Sequence, residues 1–538
     1  MSAHASPPTA PTRAATIDSG ASGRPGIDRA LLRALADPAT YGGQGPVSTH
    51  ETHASWVFVA GARAYKVKKP VSLGFLDYGT LALRRRACAE EVRVNRELAP
   101  GIYLGVRAIV ATPGGFRLAG EHARGAVEYA VEMRAFDERD SLSGLIASGG
   151  LGSEHLRAVA RRLAAFHRMA PHASGGGAAE VLQMWRANVR ELSRAGAPVD
   201  WQARAQVAED FGAAFVRAHG REIERRRRAG MVRDGHGDLR CEHVLAVPVV
   251  RVVDRVEFDP ALRQTDVACD LAFLAMDLEA HGCRWAAVEL VEGYRQRGMS
   301  PGGEELQAFY AAYRALVRAK VALVAASERS GEARAAARAR AAELWELGER
   351  LCWRARTPFA LVVCGPAASG KSTLAGELAR RTGAPLLSSD VVRKAAAGVP
   401  AAERAASEHY SERFNHATYE LLAREAQRAL AGERAVIVDA SCRSRAERRL
   451  LLAGLQRAGL ARLVVRCQAP LAVALARAAR RMREPEHVSD ATPAVVAEHY
   501  RSFQALSELA PGEVLELDSE LPLEDQVAQV TRALDGRL

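Results

Sequence analysis

The stretch FALVVCGPAASGKSTLAGELARR (359–381) leaves few architectures open. FALVVC is an unbroken apolar run, the pattern of a strand buried on both faces of a parallel sheet. It leads at once into GPAASGKST (365–373), a GxxxxGK[ST] loop, and then into a helical pattern. Glycines let such a loop close around an anion, its N–H groups and the helix N-terminus face the phosphates, the Lys reaches the outer phosphates, and the next hydroxyl holds Mg²⁺. Gly365, Pro366, Ala367, Ala368, Ser369, Gly370, Lys371, Ser372 and Thr373 are therefore expected to bind ATP, with Ser372 on the metal. APLLSSD (384–390), RAVIVDAS (434–441) and ARLVVRCQAP (461–470) supply three more apolar strands between helical patterns. The rhythm predicts an α/β P-loop NTPase domain with a parallel sheet over 357–538.

Within this domain Asp439 ends an apolar strand, where a carboxylate holds the metal directly or through water. SSDVVRK (388–394) places Asp390 and Arg393 at another carboxyl strand end, where open α/β sheets bind ligands. Such an Asp accepts a proton from a hydroxyl, and the Arg beside it can hold an anionic group. This DxxR element resembles that of small P-loop kinases related to polynucleotide kinase and to the zeta-toxin sugar-nucleotide kinases, which implies phosphorylation of a hydroxyl. RAARRMREPEHVSD (477–490) is similar to the lid of such enzymes, which makes Arg480 or Arg481 the candidate to close over the phosphoryl group.

Composition sharpens the reading of the first half. Of 74 basic residues only six are Lys (66, 68, 69, 320, 371, 394), so a Lys in this chain marks a place where a compact point charge is wanted. One of them, Lys66, lies on a predicted β-hairpin, SWVFVA (55–60) and AYKVKK (64–69) around the turn GAR. TLALRRRACAEEVRVNRELA (80–99) follows as a long helix, then the strand-like IYLGVRAIVA (102–111) and AVEYAVEM (126–133), and a mainly helical region from about 151 to 230. HGDLRCEHV (236–244) then leads into VLAV and VVRVVD, two short apolar runs around Pro248 that predict a small hairpin ending at Asp254.

Phosphate Lys, helix Glu, HGD loop and strand-end Asp occur in the order of a kinase. On these residues the segment from about 29 to 350 resembles the aminoglycoside phosphotransferase family of kinase-like enzymes, with its HGDxxxxN loop and following metal-binding Asp. The whole chain thus resembles a bifunctional aminoglycoside phosphotransferase/ATP-binding protein. The resemblance implies that Lys66 pairs with the α and β phosphates, that Glu91 or its neighbour Glu90 orients it, that Asp238 is the catalytic base and that Asp254 binds Mg²⁺. It also implies that Asp270, in DVACDLAFLAMD (266–277), is structural. His236 reads as a loop-bracing hydrogen bonder. The sequence departs from the family at His243, which stands where the Asn belongs and is a poor ligand for Mg²⁺. Glu257 or Asp259 could supply a second carboxylate.

The expected fold is an α+β kinase-like bilobal domain (27–350) followed by the P-loop domain (357–538), joined by a charged, Ala-rich helix at about 326–356. The Ala-, Ser- and Pro-rich residues 1–26 read as a disordered tail without the apolar core of a secretory signal. No stretch of about 18 uncharged apolar residues argues for a membrane span. The eight Cys are scattered without a CxxC pair, which argues against a zinc site and a disulfide framework and for the cytoplasm. A net charge of +11 admits nucleic acid, but REIERRRRAG (221–230) mixes acids with bases and has no interleaved aromatics, so a small-molecule hydroxyl substrate is preferred. The function expected is ATP- and Mg²⁺-dependent phosphoryl transfer. Its rivals are a P-loop ATPase or kinase regulated by a degenerate kinase-like lobe, and a 5′-hydroxyl polynucleotide kinase.

Overall fold

In the computed structural model, residues 29–538 are described except 44, 53, 74, 75, 199, 401, 402, 404, 405 and 483–491. The tail read as disordered lies outside the described residues. The chain divides into two compact units, Met1–Ser174 with Gly230–Pro301 and Gly175–Ala229 with Gly302–Leu538.

In the first unit, β1 (Val47–Glu51), β2 (Ser55–Ala60), β3 (Arg63–Lys68), β4 (Tyr103–Thr112), β5 (Gly115–Gly120) and β6 (Ala126–Arg134) build one antiparallel sheet. Its order is β1-β2-β3-β6-β4-β5. The hairpin read from the sequence is β2 and β3, and the outer strands β1 and β5 join it without having been foreseen. Side chains alternate across a strand. Tyr65 and Val67 therefore pack with Leu31 and Leu35 on one face, while Ala64 packs with Cys88 and Val92 of the helix Leu81–Asn95 on the other. Lys66 and Lys68 share the parity of Ala64, so both point toward that helix. Thr80 starts the helix by accepting the N–H of Leu83 with its side chain. The HGD loop lies between Val232–Asp234 and the short antiparallel pair β7 (Val244–Leu245) and β8 (Arg251–Val252), the hairpin expected around Pro248. The helix Val267–Ala280 follows. This unit is α+β, an antiparallel sheet packed against helices.

The second unit contains a five-stranded sheet of β9 (Phe359–Cys364), β10 (Leu386–Ser388), β11 (Ala435–Asp439), β12 (Ala461–Gln468) and β13 (Val514–Asp518). Every pairing is parallel, in the order β10-β11-β9-β12-β13. Four strands are those read from the sequence, and β13 is an addition. β9 and β11 are buried at every position. Along β9, Phe359, Leu361 and Val363 pack with Leu374 and Leu378 on one face, and Ala360, Val362 and Cys364 pack with Tyr419 and Leu422 on the other. The region read as a connecting helix is the helix Gly331–Ala355, and it does more than connect. It packs along Glu304–Ser327 and buries Trp345, Leu351 and Trp353.

Candidate active sites

The P-loop occupies the carboxyl end of the central strand β9, flanked by β11 and β12. Gly365 and Gly370 have φ of 143° and 96°, conformations that L side chains rarely adopt, and Ala368 is held at φ 62°. The helix Lys371–Thr382 starts directly behind the loop, so its free N–H groups face the anion site. Asp439 ends the neighbouring strand. It is 7% exposed, and its buried Oδ1 has no hydrogen-bond partner. Burial pushes its pKa up against the pull of Lys371, and nearby Asp390 pushes it further up. Lys371, Ser372, Asp390 and Asp439 are thus brought together. A buried carboxylate oxygen without a donor, next to a hydroxyl, is a hard-oxygen arrangement that fits Mg²⁺.

A cleft of about 300 Å³ opens over the loop, lined by Lys371, Ser372, Thr373, Arg477, Arg480 and Gln526. Arg480 is therefore at the site, while the Arg481 side chain and lid residues 483–490 lie outside the described residues. Arg477 is the arginine the sequence reading passed over. Its guanidinium donates to the Ser519 hydroxyl and carbonyl, both at 2.9 Å, which pins it beside Gly370. The signal was available, since 477 and 480 lie three apart on one helix face. Arg393 departs from expectation. It sits in the helix Ser389–Ala396 that begins right after β10, and its Nη1 donates inward to the His409 carbonyl (2.8 Å) and Asn415 Oδ1 (2.6 Å), with the guanidinium 4.8 Å from the Tyr410 ring. That engagement braces the segment around Asp390 rather than presenting a cation to solvent.

In the first unit, Lys66 Nζ lies 2.8 Å from Glu91 Oε1 and 2.6 Å from Asp254 Oδ1. Of the two acids left open, Glu91 faces the lysine, whereas Glu90 turns outward to Arg93. Lys68, missed from the sequence although it shares the Lys66 face, is 2.5 Å from the other Glu91 oxygen and pairs with Glu257. Burial works against the charges of Glu91 and Asp254, but the Lys66 ammonium beside them, helped by Lys68, holds both carboxyls below their usual range. Lys66 and Lys68 are raised in turn, the neighbouring carboxylates outweighing burial. Glu257, which also accepts from the Tyr78 hydroxyl, is committed to Lys68. Asp259 caps a 3₁₀ turn by accepting from Ala261 N–H. Neither is left as a second metal carboxylate.

Asp254 is held at φ 62°, an unusual conformation for a non-glycine, with its N–H donating to the Tyr103 hydroxyl. Its side chain is 44% exposed and borders a cleft of about 890 Å³ together with Lys66, Tyr103, Met133 and His243. The HGD loop is braced from behind. Asp270, fully buried, accepts the N–H groups of His236 (2.7 Å) and Gly237 (2.9 Å), and His236 Nε2 donates to the Val253 carbonyl. Asp238 is engaged by Arg240 Nε at 3.0 Å. His243 fills the space between the two acids, its Nδ1 donating to the Asp238 carbonyl at 2.8 Å and its Nε2 3.6 Å from Asp254 Oδ2. An imidazole at that point adds no oxygen ligand, so Asp254 alone fits a metal here.

A family model described as an AAA domain matches residues 361–506, the P-loop, β11 and β12 included. Uncharacterized proteins of Mycobacterium tuberculosis (strain H37Rv) and Mycobacterium bovis are each 34% identical to the chain over 355 residues, 65% of this chain and 68% of theirs. The chain belongs to their family. Family members are thus matched over more of the chain than the AAA-domain model alone covers. Among solved structures, a choline/ethanolamine kinase family protein from Mesorhizobium loti is similar over 61% of this chain and 98% of its own, at 16% identity and a TM-score of 0.38. A gluconokinase from Sinorhizobium meliloti is similar over 33% of this chain and 93% of its own, at 22% identity and a TM-score of 0.24. No helix among the described residues is long and apolar enough to cross a membrane.

Proposed function

We propose that the chain is an ATP-dependent kinase that transfers the γ-phosphoryl group to a hydroxyl of a small molecule in the cytoplasm, with two nucleotide-binding modules. The P-loop module carries the stronger set of candidate residues. The observation that carries this reading is Asp439, whose buried Oδ1 lacks a donor beside the Ser372 hydroxyl, Lys371 and Asp390. Lys371 and the helix N-terminus hold the phosphates, and Ser372 and Asp439 would hold Mg²⁺, which when bound neutralises phosphate charge. Asp390 accepts the proton of the attacking hydroxyl, with Arg393 positioning its segment. Arg477 and Arg480 offset charge that builds on the transferring group. In the kinase-like module Lys66, oriented by Glu91, binds phosphates, Asp238 is the base and Asp254 would hold the metal.

A second reading has its own observation. Lys66 is already paired with Asp254 and Asp238 with Arg240, and His243 replaces an oxygen ligand, which favours a lobe that binds a ligand and regulates the P-loop module. A phosphorylation screen of metabolite extracts with γ-labelled ATP separates the two. Two active modules require that Lys371→Ala and Asp238→Asn each remove a different set of labelled products. Loss of all transfer in Lys371→Ala with none in Asp238→Asn leaves only the regulatory reading. A 5′-hydroxyl nucleic-acid substrate would instead show label on RNA or DNA with steep salt dependence.

A further inference from the structure

The scattered cysteines argue against zinc only while the chain is read as a line. In the fold, Cys241, three residues beyond Asp238, meets Asp277 and His281 from the end of the helix Val267–Ala280. A ligand atom from each, the Cys241 Sγ, an Asp277 carboxylate oxygen and a His281 ring nitrogen, lie within 4.8 Å of one another. Cys241 is fully buried, Asp277 is 8% exposed and His281 is at the surface, so the trio runs from the interior to solvent and leaves an entry path. Asp277 Oδ2 already accepts the Cys241 N–H at 2.8 Å, which fixes the carboxylate against the thiol. His281 stands at the start of the turn His281–Gly282–Cys283, where Gly282 has φ 78°.

From this geometry we propose that Cys241, Asp277 and His281 form a binding site for one thiophilic divalent cation of the Zn²⁺ class, separate from the Mg²⁺ positions. Thiolate, imidazole and carboxylate are the ligand set of zinc and cobalt, and too soft for Mg²⁺. Bond lengths of 2.0–2.3 Å in a tetrahedral site put ligand atoms about 3.6 Å apart. The three atoms close that gap by roughly 1 Å each way, a movement the surface His281 can make. On binding, the Cys241 S–H bond breaks, its proton passes to solvent and the sulfur bonds the metal, while water completes the coordination. The ion ties the turn after HGD to the helix behind it, bracing the segment that carries Asp238 and His243.

Co²⁺ titration of the full-length protein, freed of metal by dialysis, tests this. Expected is one equivalent of tetrahedral Co²⁺ per chain with a thiolate charge-transfer band, bleached by one equivalent of Zn²⁺ and accompanied by release of about one proton. Cys241→Ser removes the band. Because Cys241 is buried and its variant is open to misfolding, His281→Ala, a surface change, is the second arm and weakens Co²⁺ binding at least tenfold. Absence of a tetrahedral spectrum, or a spectrum that survives His281→Ala unchanged, overturns the proposal. So does a band that is lost in Cys283→Ser but retained in Cys241→Ser. None of these readouts depends on phosphoryl transfer.

Discussion

At the scale of single residues, the most heavily loaded position is Glu91, buried with one oxygen toward Lys66 and the other toward Lys68. Removing one partner of a buried ionic cluster leaves the others uncompensated, so Glu91→Gln is expected to lower stability by about 3–5 kcal/mol, read as a shift of the urea midpoint. His236 gives a second expectation. Burial pushes its pKa down from 6.5 to about 4. The folded ring thus refuses a proton that the unfolded chain accepts below pH 6.5. Its contribution is fully present above pH 6.5 and is lost as pH falls toward 4, by about 3 kcal/mol. Glu91, Asp254 and Asp270, whose pKa values are depressed, add losses only lower, as pH falls through and below the ordinary carboxylate range. His236→Asn should flatten the slope between pH 6.5 and 4 in equilibrium unfolding, and an unchanged slope would assign it elsewhere. Lys66, Asp238 and Asp254 were legible because their order along the chain carries the kinase pattern. Lys68 and Arg477 were not, because their roles depend on which face they share with a residue already chosen.

At the scale of elements, the strand, loop and helix around the P-loop agreed with local sequence at every step, since a parallel strand buried on both faces has to be continuously apolar. β13 escaped notice because VLELD alternates and is short, so nothing local distinguishes it from a loop until β12 is there to pair with. The fit of the loop is tight where it matters. A Cβ on Gly370 would stand 2.9 Å from Ser519 Cβ and 3.4 Å from the Arg477 Nη1, at a φ of 96° that already disfavours a side chain. Gly370→Ala should therefore displace both the loop and the pinned Arg477, lowering affinity for a fluorescent ATP analogue at least tenfold while far-ultraviolet circular dichroism stays unchanged. Ser519→Ala separates the two effects. It removes one of the two bonds that pin Arg477, that to the Ser519 hydroxyl, while the bond to the Ser519 carbonyl stays, and should reduce turnover with ATP affinity nearly intact.

At the scale of the molecule, the compact units do not follow the sequence in two consecutive blocks. Residues 175–229 and 302–350 pack in one unit with the P-loop sheet, although the resemblance to the phosphotransferases places them with the first domain. Physical reasons are visible in the contacts. Trp353 belongs to the same apolar cluster as Phe359, Leu361 and Leu534. Arg356, 2% exposed, forms a two-pronged bond to Asp535 at 2.6 and 3.0 Å, and its guanidinium lies 4.1 Å from the Phe211 ring. Neither partner is predictable from the other, because 179 residues separate them. In the full chain, Asp535→Leu leaves a buried guanidinium unpaired and should cost about 3–5 kcal/mol. Arg356→Met combined with Asp535→Leu should recover most of that loss, since an apolar pair replaces both charges. A fragment of 357–538 lacks Arg356, so in it Asp535 is the unpaired charge, and the same Asp535→Leu change should stabilise it. Denaturant unfolding of both backgrounds checks the reversal of sign. If Asp535→Leu destabilises the fragment as well, Arg356 is not what holds Asp535, and the helices ending at Ala355 do not belong energetically to the P-loop unit.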